Sequence, residues 1–263
     1  MDPEGLISRI RQVLHDDPRV LAAWLSGSRG RGTADRHSDT DVWLVVSAGD
    51  VPGFVQDWPQ TCERISPTVL CQQVGGGPVF TAITPEWLRF DVAIGTPEDV
   101  AGRSRMTLEP LFDRAGLSER LQPAGRPLPP DPGRVSGLTT EFLRVLGLLP
   151  VVLGRQEYVV AASGAGLLRQ LLIQLMLEDV AVEDRGGALR LAGLLPPDRL
   201  RALAALPPTE ATRASAVAVH LECARAFLPL ARDLHDRCGL TWPADLDDAL
   251  RRHLRAELGL ELV

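Results

Sequence analysis

Two aspartates, Asp39 and Asp41, stand two residues apart at the entry to the apolar run Val42–Val46. On a strand, residues i and i+2 share a face, so these carboxylates would lie side by side. Carboxylates that close repel each other and raise a pKa unless a cation sits between them. Their hard oxygen ligands suit Mg²⁺. A little upstream, Gly27 allows the backbone to approach an anion closely, and Ser28 adds a hydroxyl and an N–H. One stretch, residues 24–46, thus offers both a phosphate cradle and a metal-binding carboxylate pair.

The elements that must position these residues read as strand, tight turn, polar loop, strand. Val20–Leu25 is the first strand and Ser26-Gly27-Ser28 the turn. A glycine- and arginine-rich loop runs to His37, and Ser38-Asp39-Thr40-Asp41 opens the second strand, Val42–Val46. Before them, Pro3–Leu14 places Leu6, Ile10, Val13 and Leu14 on one helical face. After them, Asp50–Gln60 reads as a short helix, and Thr68–Gln73, Val79–Thr84 and Glu86–Ile94 as strands. The glycine turn at 75–78 marks a hairpin with antiparallel neighbours. Asp91 falls between Phe90 and Val92 in a run that reads as buried. A lone buried aspartate is costly, and a metal shared with Asp39 and Asp41 would relieve that cost.

Leu108–Phe112 adds a last strand and 114–121 a turn with a short helix. The proline-dense stretch 123–134 fits neither a helix nor a central strand, so it reads as a semi-rigid linker between a domain at 1–122 and another at 135–263. Beyond it the pattern is helical. Helices are expected over Ser136–Leu149, from Val151 or Val152 to Ser163, from Gly166 past Leu177, over Pro196–Leu206, over Glu210–Cys238 with a bend at Pro229, and over Ala244–Leu258. Leu191–Leu195 reads as a connector. The fold class is therefore α+β: a small mixed or antiparallel sheet domain followed by an all-helical bundle with its own core.

Composition bounds the function. The chain has 263 residues, 45% hydrophobic and 24% charged, with net charge −6. That balance is ordinary for a soluble globular protein and argues against binding nucleic acid through a broad basic surface. Every basic residue apart from histidine is arginine. The acidic N-terminal stretch lacks a signal-peptide layout, and no long uninterrupted apolar window is present, so a cytoplasmic chain with no membrane span is expected. Cys62, Cys71, Cys223 and Cys238 form no CxxC pair and read as reduced thiols. His220/Cys223 and His235/Cys238 have i, i+3 spacing. These pairs read as core contacts ahead of a zinc site.

The pattern Gly-Ser, a further glycine, then Ser-Asp-x-Asp before an apolar strand resembles the signature of the DNA-polymerase-β-type nucleotidyltransferases. Gly27, Ser28, Gly32, Ser38, Asp39 and Asp41 carry the resemblance, and Asp91 fits the family's third carboxylate. The helical second half makes the layout similar to the antibiotic nucleotidyltransferases that act on aminoglycosides or lincosamides. The resemblance implies a Mg²⁺-dependent enzyme that moves a nucleoside monophosphate, AMP by preference, from a nucleoside triphosphate to a hydroxyl of a small molecule. Asp39, Asp41 and Asp91 would be the catalytic set, holding two Mg²⁺ ions roughly 4 Å apart. Gly27, Ser28 and Ser38 would hold phosphates, with Arg29 and Arg31 neutralising charge. Arg36 and His37 read as solvated loop residues. Glu141, Glu157, Glu178 and Asp179 are further candidates for a general base. The oligomeric state stays open, with a homodimer compatible. Two other readings are a protein-AMPylating enzyme of the antitoxin type, whose members are usually much smaller, and a nucleotide-binding regulatory module that has lost turnover.

Overall fold

The protein was described from a computed structural model that covers residues 1–185 and 190–262. It divides into two compact units, Met1–Arg126 and Pro127–Val263. The expected linker spans that division, and residues 123–131 belong to neither helix nor strand. Its last three residues are helical, however. Asp131 caps a helix at Arg134 N (2.8 Å), and Pro132 sits at the first helical position, where its missing N–H costs nothing.

The first unit is a six-stranded mixed sheet. Its strands are β1 (Val20–Leu25), β2 (Thr40–Val46), β3 (Leu70–Val74), β4 (Val79–Ile83), β5 (Arg89–Gly95) and β6 (Glu109–Asp113), in the order β3-β4-β5-β2-β1-β6. β2 and β5 run parallel, and the other neighbours are antiparallel. One face is covered by α1 (Pro3–Asp16) and α3 (Val51–Ile65). There Leu6, Ile10, Phe54 and Trp58 pack on Val42, Leu44, Phe90 and Val92. The other face carries Trp24 and Trp43, stacked at 5.0 Å, under short 3₁₀ turns that supply Val100, Leu117 and Leu121.

Strand alternation decides where Asp91 lies. In β5 the residues Phe90, Val92 and Ile94 are buried, while Arg89, Asp91 and Ala93 are half-buried. Asp91 is therefore not sunk in an apolar run, as its neighbours suggest in sequence. It stands on the tryptophan-bearing face, with partial access to water. β5 also begins later than the expected Glu86. Thr84–Leu88 forms a tight turn in which Thr84 N donates to Leu88 O (2.9 Å), Trp87 N to Thr84 O (2.9 Å) and Leu88 N to Thr84 Oγ1 (3.2 Å). The helix expected to end at Gln60 runs on through Pro59 to Ile65, because Thr61, Cys62 and Ile65 are buried.

The second unit is helical: α4 (Pro132–Leu146), α5 (Leu149–Gly154), α6 (Tyr158–Glu178), α7 (Leu191–Leu194), α8 (Pro197–Ala204), α9 (Arg213–Cys238) and α10 (Ala244–Leu258). The break expected near Ser163–Gly166 does not occur. It falls earlier, at Gln156, whose φ of 57° ends α5, and α6 then runs unbroken through the small residues. A Cβ at Gly164 would come 3.6 Å from His220 Nε2, an ordinary contact, so α6 runs beside α9 here without the packing requiring a glycine. α9 continues through Pro229, since Phe227, Leu228 and Ala231 are core residues and packing outweighs the lost backbone bond. Among the described residues, Pro132–Gly154, Tyr158–Glu178 and Arg213–Cys238 are long and apolar enough to cross a bilayer. They instead supply most of this unit's own core, including the stacked Phe142–Phe227 pair.

Candidate active site

The turn after β1 is a single helical turn, α2 (Gly27–Gly30). It is closed by Gly30 N to Ser26 O (2.9 Å) and Arg31 N to Gly27 O (3.2 Å), and Ser26 N ties it to β2 at Asp41 O (2.8 Å). Gly27 is required twice over. Its φ is +58°, and a Cβ at this position would run into the Asp41 carboxylate. The Asp41 side chain therefore lies directly against the turn. Gly30, which the motif does not include, is equally constrained: a Cβ there would strike Thr107 O and Leu25 O. Its partner Thr107 is remote in sequence, so no local signal reveals it. Gly32 has open space around it but a φ of +66°.

Asp41 and Asp91 are direct partners in the parallel β2–β5 ladder, with Thr81 of β4 opposite Asp91 on the other side. Adjacent strands lie about 4.8 Å apart, so the two carboxylates sit side by side on one face. This neighbour relation differs from the expected one, in which Asp39 and Asp41 form the pair along one strand. Asp39 precedes β2. Its Oδ2 lies 3.6 Å from Arg89 Nη2, and its carbonyl accepts from Arg29 Nε at 3.3 Å. Among the described residues no three carboxylate, imidazole or thiol groups are gathered closely enough to hold a metal ion. The three-aspartate set is therefore not assembled: Asp41 and Asp91 are neighbours, while Asp39 has Arg89 as a counter-ion.

The arginines and the serines also separate. Arg29 is mostly buried and reaches Glu4 Oε1 at 3.2 Å, so it fastens α1 to the turn rather than facing phosphate. Ser38 caps the loop: its Oγ accepts from Asp35 N at 2.9 Å and donates to Asp35 Oδ1 at 3.3 Å. Asp35 in turn accepts from His37 N (2.8 Å), and that bond holds its carboxyl below the ordinary value. Asp35 thus fixes the approach to Asp39 and is a residue the motif omits. Its signal was an Asx-type turn. His37 faces Arg36, whose Nε donates to its Nε2 at 2.9 Å. Ser28 Oγ differs from all of these: it is buried and has no hydrogen-bond partner among the described residues.

Three of the four candidate general bases in the helical unit are held by arginines, while Glu157 is exposed at the start of α6 and makes no side-chain cap bond. Glu141 is held by Arg144 at 2.7 Å, which lowers its carboxyl pKa. Glu178 pairs with Arg134 at 2.8 Å and Arg185 at 3.0 Å. Asp179 is paired with Arg199 and Arg237. His220 Nδ1 bonds the backbone of its own helix at Ala216 O (2.7 Å), and His235 Nε2 lies 3.1 Å from Thr139 Oγ1.

No protein-family model matches the chain, and no curated protein does. Among solved structures, an aminoglycoside 6-adenyltransferase from Bacillus subtilis is 14% identical with a TM-score of 0.45, covering 97% of this chain and 98% of that one. An apo CCA-adding enzyme is 14% identical with a TM-score of 0.39, covering 97% of this chain and 70% of that one. The same kind of enzyme bound to ATP is 13% identical with a TM-score of 0.38, over 97% and 71%. Likeness of this degree assigns no activity, which has to come from the residues and their geometry.

Proposed function

We propose that this protein is a nucleotidyltransferase that moves a nucleoside monophosphate, AMP by preference, from a nucleoside triphosphate to a hydroxyl of a small molecule in the cytoplasm. The observation that carries the reading is the pairing of Asp41 with Asp91 across the ladder, against a turn that holds Gly27 and Ser28. Two like charges on one face favour a bound cation. Ser28 Oγ, buried and without a partner, is a polar group that a phosphate oxygen would satisfy.

The donor chemistry fits Mg²⁺: Asp41 and Asp91 would hold it, joined by Asp39 once that carboxylate exchanges Arg89 for the ion. When bound, the ion neutralises charge on the triphosphate and on the departing pyrophosphate. The chain's own part is positioning and proton handling. The N–H groups of the α2 turn and the Ser28 hydroxyl bind phosphate oxygens. The acceptor oxygen bonds to the α-phosphorus, the bond from that phosphorus to the bridging oxygen breaks, and pyrophosphate leaves with the electron pair. The acceptor proton passes to Asp91, whose carboxylate has no partner among the described residues.

The test is pyrophosphate release with Mg²⁺ and each nucleoside triphosphate against aminoglycosides, lincosamides and other polyhydroxylated amines. Release that depends on one acceptor and disappears in the Asp39→Ala/Asp41→Ala variant supports the reading. Silence across the panel, in protein that binds Mg-ATP, overturns the small-molecule acceptor.

A further inference from the structure

At the end of the sheet where α1 begins, a cavity of about 330 Å³ opens to solvent. Pro3 and Leu6 line its apolar side, and Arg36, His37, Arg89 and Trp87 line the rest. Trp87 is anomalous in two respects. Its φ is 65°, a left-handed conformation that a bulky side chain rarely adopts, and its indole is 71% exposed. Glycine or asparagine is the usual residue at this position of a hairpin turn. An exposed ring gains little from packing, so folding alone does not explain a tryptophan there. Backbone strain that the fold does not require is a mark of functional sites.

The cavity's chemistry is consistent. Arg36 is oriented by His37 Nε2, and its two Nη groups have no partner among the described residues. Arg89 lies 3.6 Å from Asp39 Oδ2 and 3.4 Å from His37 O, both longer than a well-formed hydrogen bond. Guanidinium forks fit phosphate and carboxylate oxygens, and an indole face stacks on a flat ring. The volume is at the small end of ligand pockets. We propose that this cavity binds a small molecule made of a planar ring bearing a phosphate or carboxylate, stacked on Trp87 with its anionic group on Arg36 and Arg89. The site does not depend on the transfer reaction, and its polarity opposes a polycation.

Calorimetric titration of the full chain, without nucleotide or metal, tests it with 1-naphthyl phosphate and 1-naphthoate. Inorganic phosphate supplies the charge alone and 1-naphthol the ring alone. Both anionic rings are expected to bind, each about tenfold or more tighter than either half. Whichever anionic ring binds tighter identifies the preferred anion. Trp87→Ala and Arg36→Ala should each weaken binding by roughly tenfold. Trp87→Gly should weaken binding about as much as Trp87→Ala while raising Tm, because glycine accepts the left-handed backbone. Equal binding by Trp87→Ala and wild type, a fall in Tm for Trp87→Gly, or no heat from either anionic ring at millimolar concentration would each overturn the proposal.

Discussion

One pair of acidic residues on the sheet differs from the buried carboxylates of the helical unit in having a like charge as its neighbour on the next strand. In the helical unit each well-buried carboxylate is surrounded by cations and donors. Glu178 accepts from Arg134, Arg185 and Asp131 N, at 2.8, 3.0 and 3.0 Å. Asp247 accepts from Arg232, Arg251 and Trp242 Nε1, at 2.6, 2.9 and 3.1 Å. Asp179 is held by Arg199 and Arg237. In the sheet unit Asp17 is held by Arg19 at 2.8 Å in the same way, but Asp41 and Asp91 are neighbours on adjacent strands, and the Ser28 hydroxyl is buried with no hydrogen-bond partner among the described residues. A carboxylate surrounded by arginines is spent on holding helices together. Two carboxylates side by side repel each other, and a cation between them relieves the repulsion. Composition does not distinguish the two situations. The geometry does, and it is why the proposed chemistry is assigned to the sheet.

The largest expected effect sharpens that contrast. Asp41→Asn or Asp91→Asn should reduce pyrophosphate release about a hundredfold or more, since each removes a proposed cation ligand or the proton acceptor. Asp91→Asn should not lower Tm, because a like-charge contact is lost. A clear drop in Tm for Asp91→Asn would put it with the structural acids. Glu178→Ala should do the reverse. It leaves Arg185 buried without its carboxylate and should cost about 3 kcal/mol by chemical denaturation. A loss below about 1 kcal/mol would place Glu178 among weak surface pairs.

Gly27→Ala is predicted to harm both stability and activity, by roughly 1–3 kcal/mol and about tenfold respectively. The new methyl group meets the Asp41 carboxylate as well as an unfavourable φ. Gly32→Ala meets only the φ and should cost about 1 kcal/mol, with activity little changed. Equal effects from the two would contradict the close approach of Asp41 to the turn.

The smallest effect concerns pH. Burial lowers the pKa of His220 and of His235 below the ordinary imidazole value. Each is therefore neutral when folded and takes up a proton more readily when unfolded. Their contribution is complete above about pH 6.5 and is lost as pH falls through the folded values. Asp179 acts in the same direction further down. Burial alone would raise its pKa, but Arg199 and Arg237 outweigh it and hold the carboxyl low. That stabilisation is present above the unfolded carboxylate value and disappears as pH falls through the folded one. Tm should therefore decline on acidification from pH 7, with His220→Gln flattening the first part of the curve.

Much of this was legible in the sequence because the signals were local. Glycine turns, strand alternation and helix periodicity gave β1, β2, β4, β6 and α10 to within a residue or two at each end. The Gly-Ser and Asp-x-Asp spacing picked out a turn and a strand that the structure brings together where Gly27 meets the Asp41 carboxylate. What escaped depended on contacts remote in sequence. Gly30 is fixed by Thr107, and Arg29 is drawn off by Glu4. Asp91 meets Asp41 as expected, but Asp39 lies before the strand with Arg89 as its counter-ion. The small residues Ser163–Gly166, which look like a helix end in sequence, lie inside α6, and the break falls instead at Gln156 with its φ of 57°.

The most direct test is cation binding at the paired carboxylates. Mn²⁺ would be titrated into wild type, Asp41→Asn and Asp91→Asn in the presence of ATP, with bound ion read by electron paramagnetic resonance. The account predicts a saturable site in wild type that either substitution weakens about tenfold or more. Mn²⁺ binding of equal strength in all three proteins would contradict it, because the pair would then have no cation to hold.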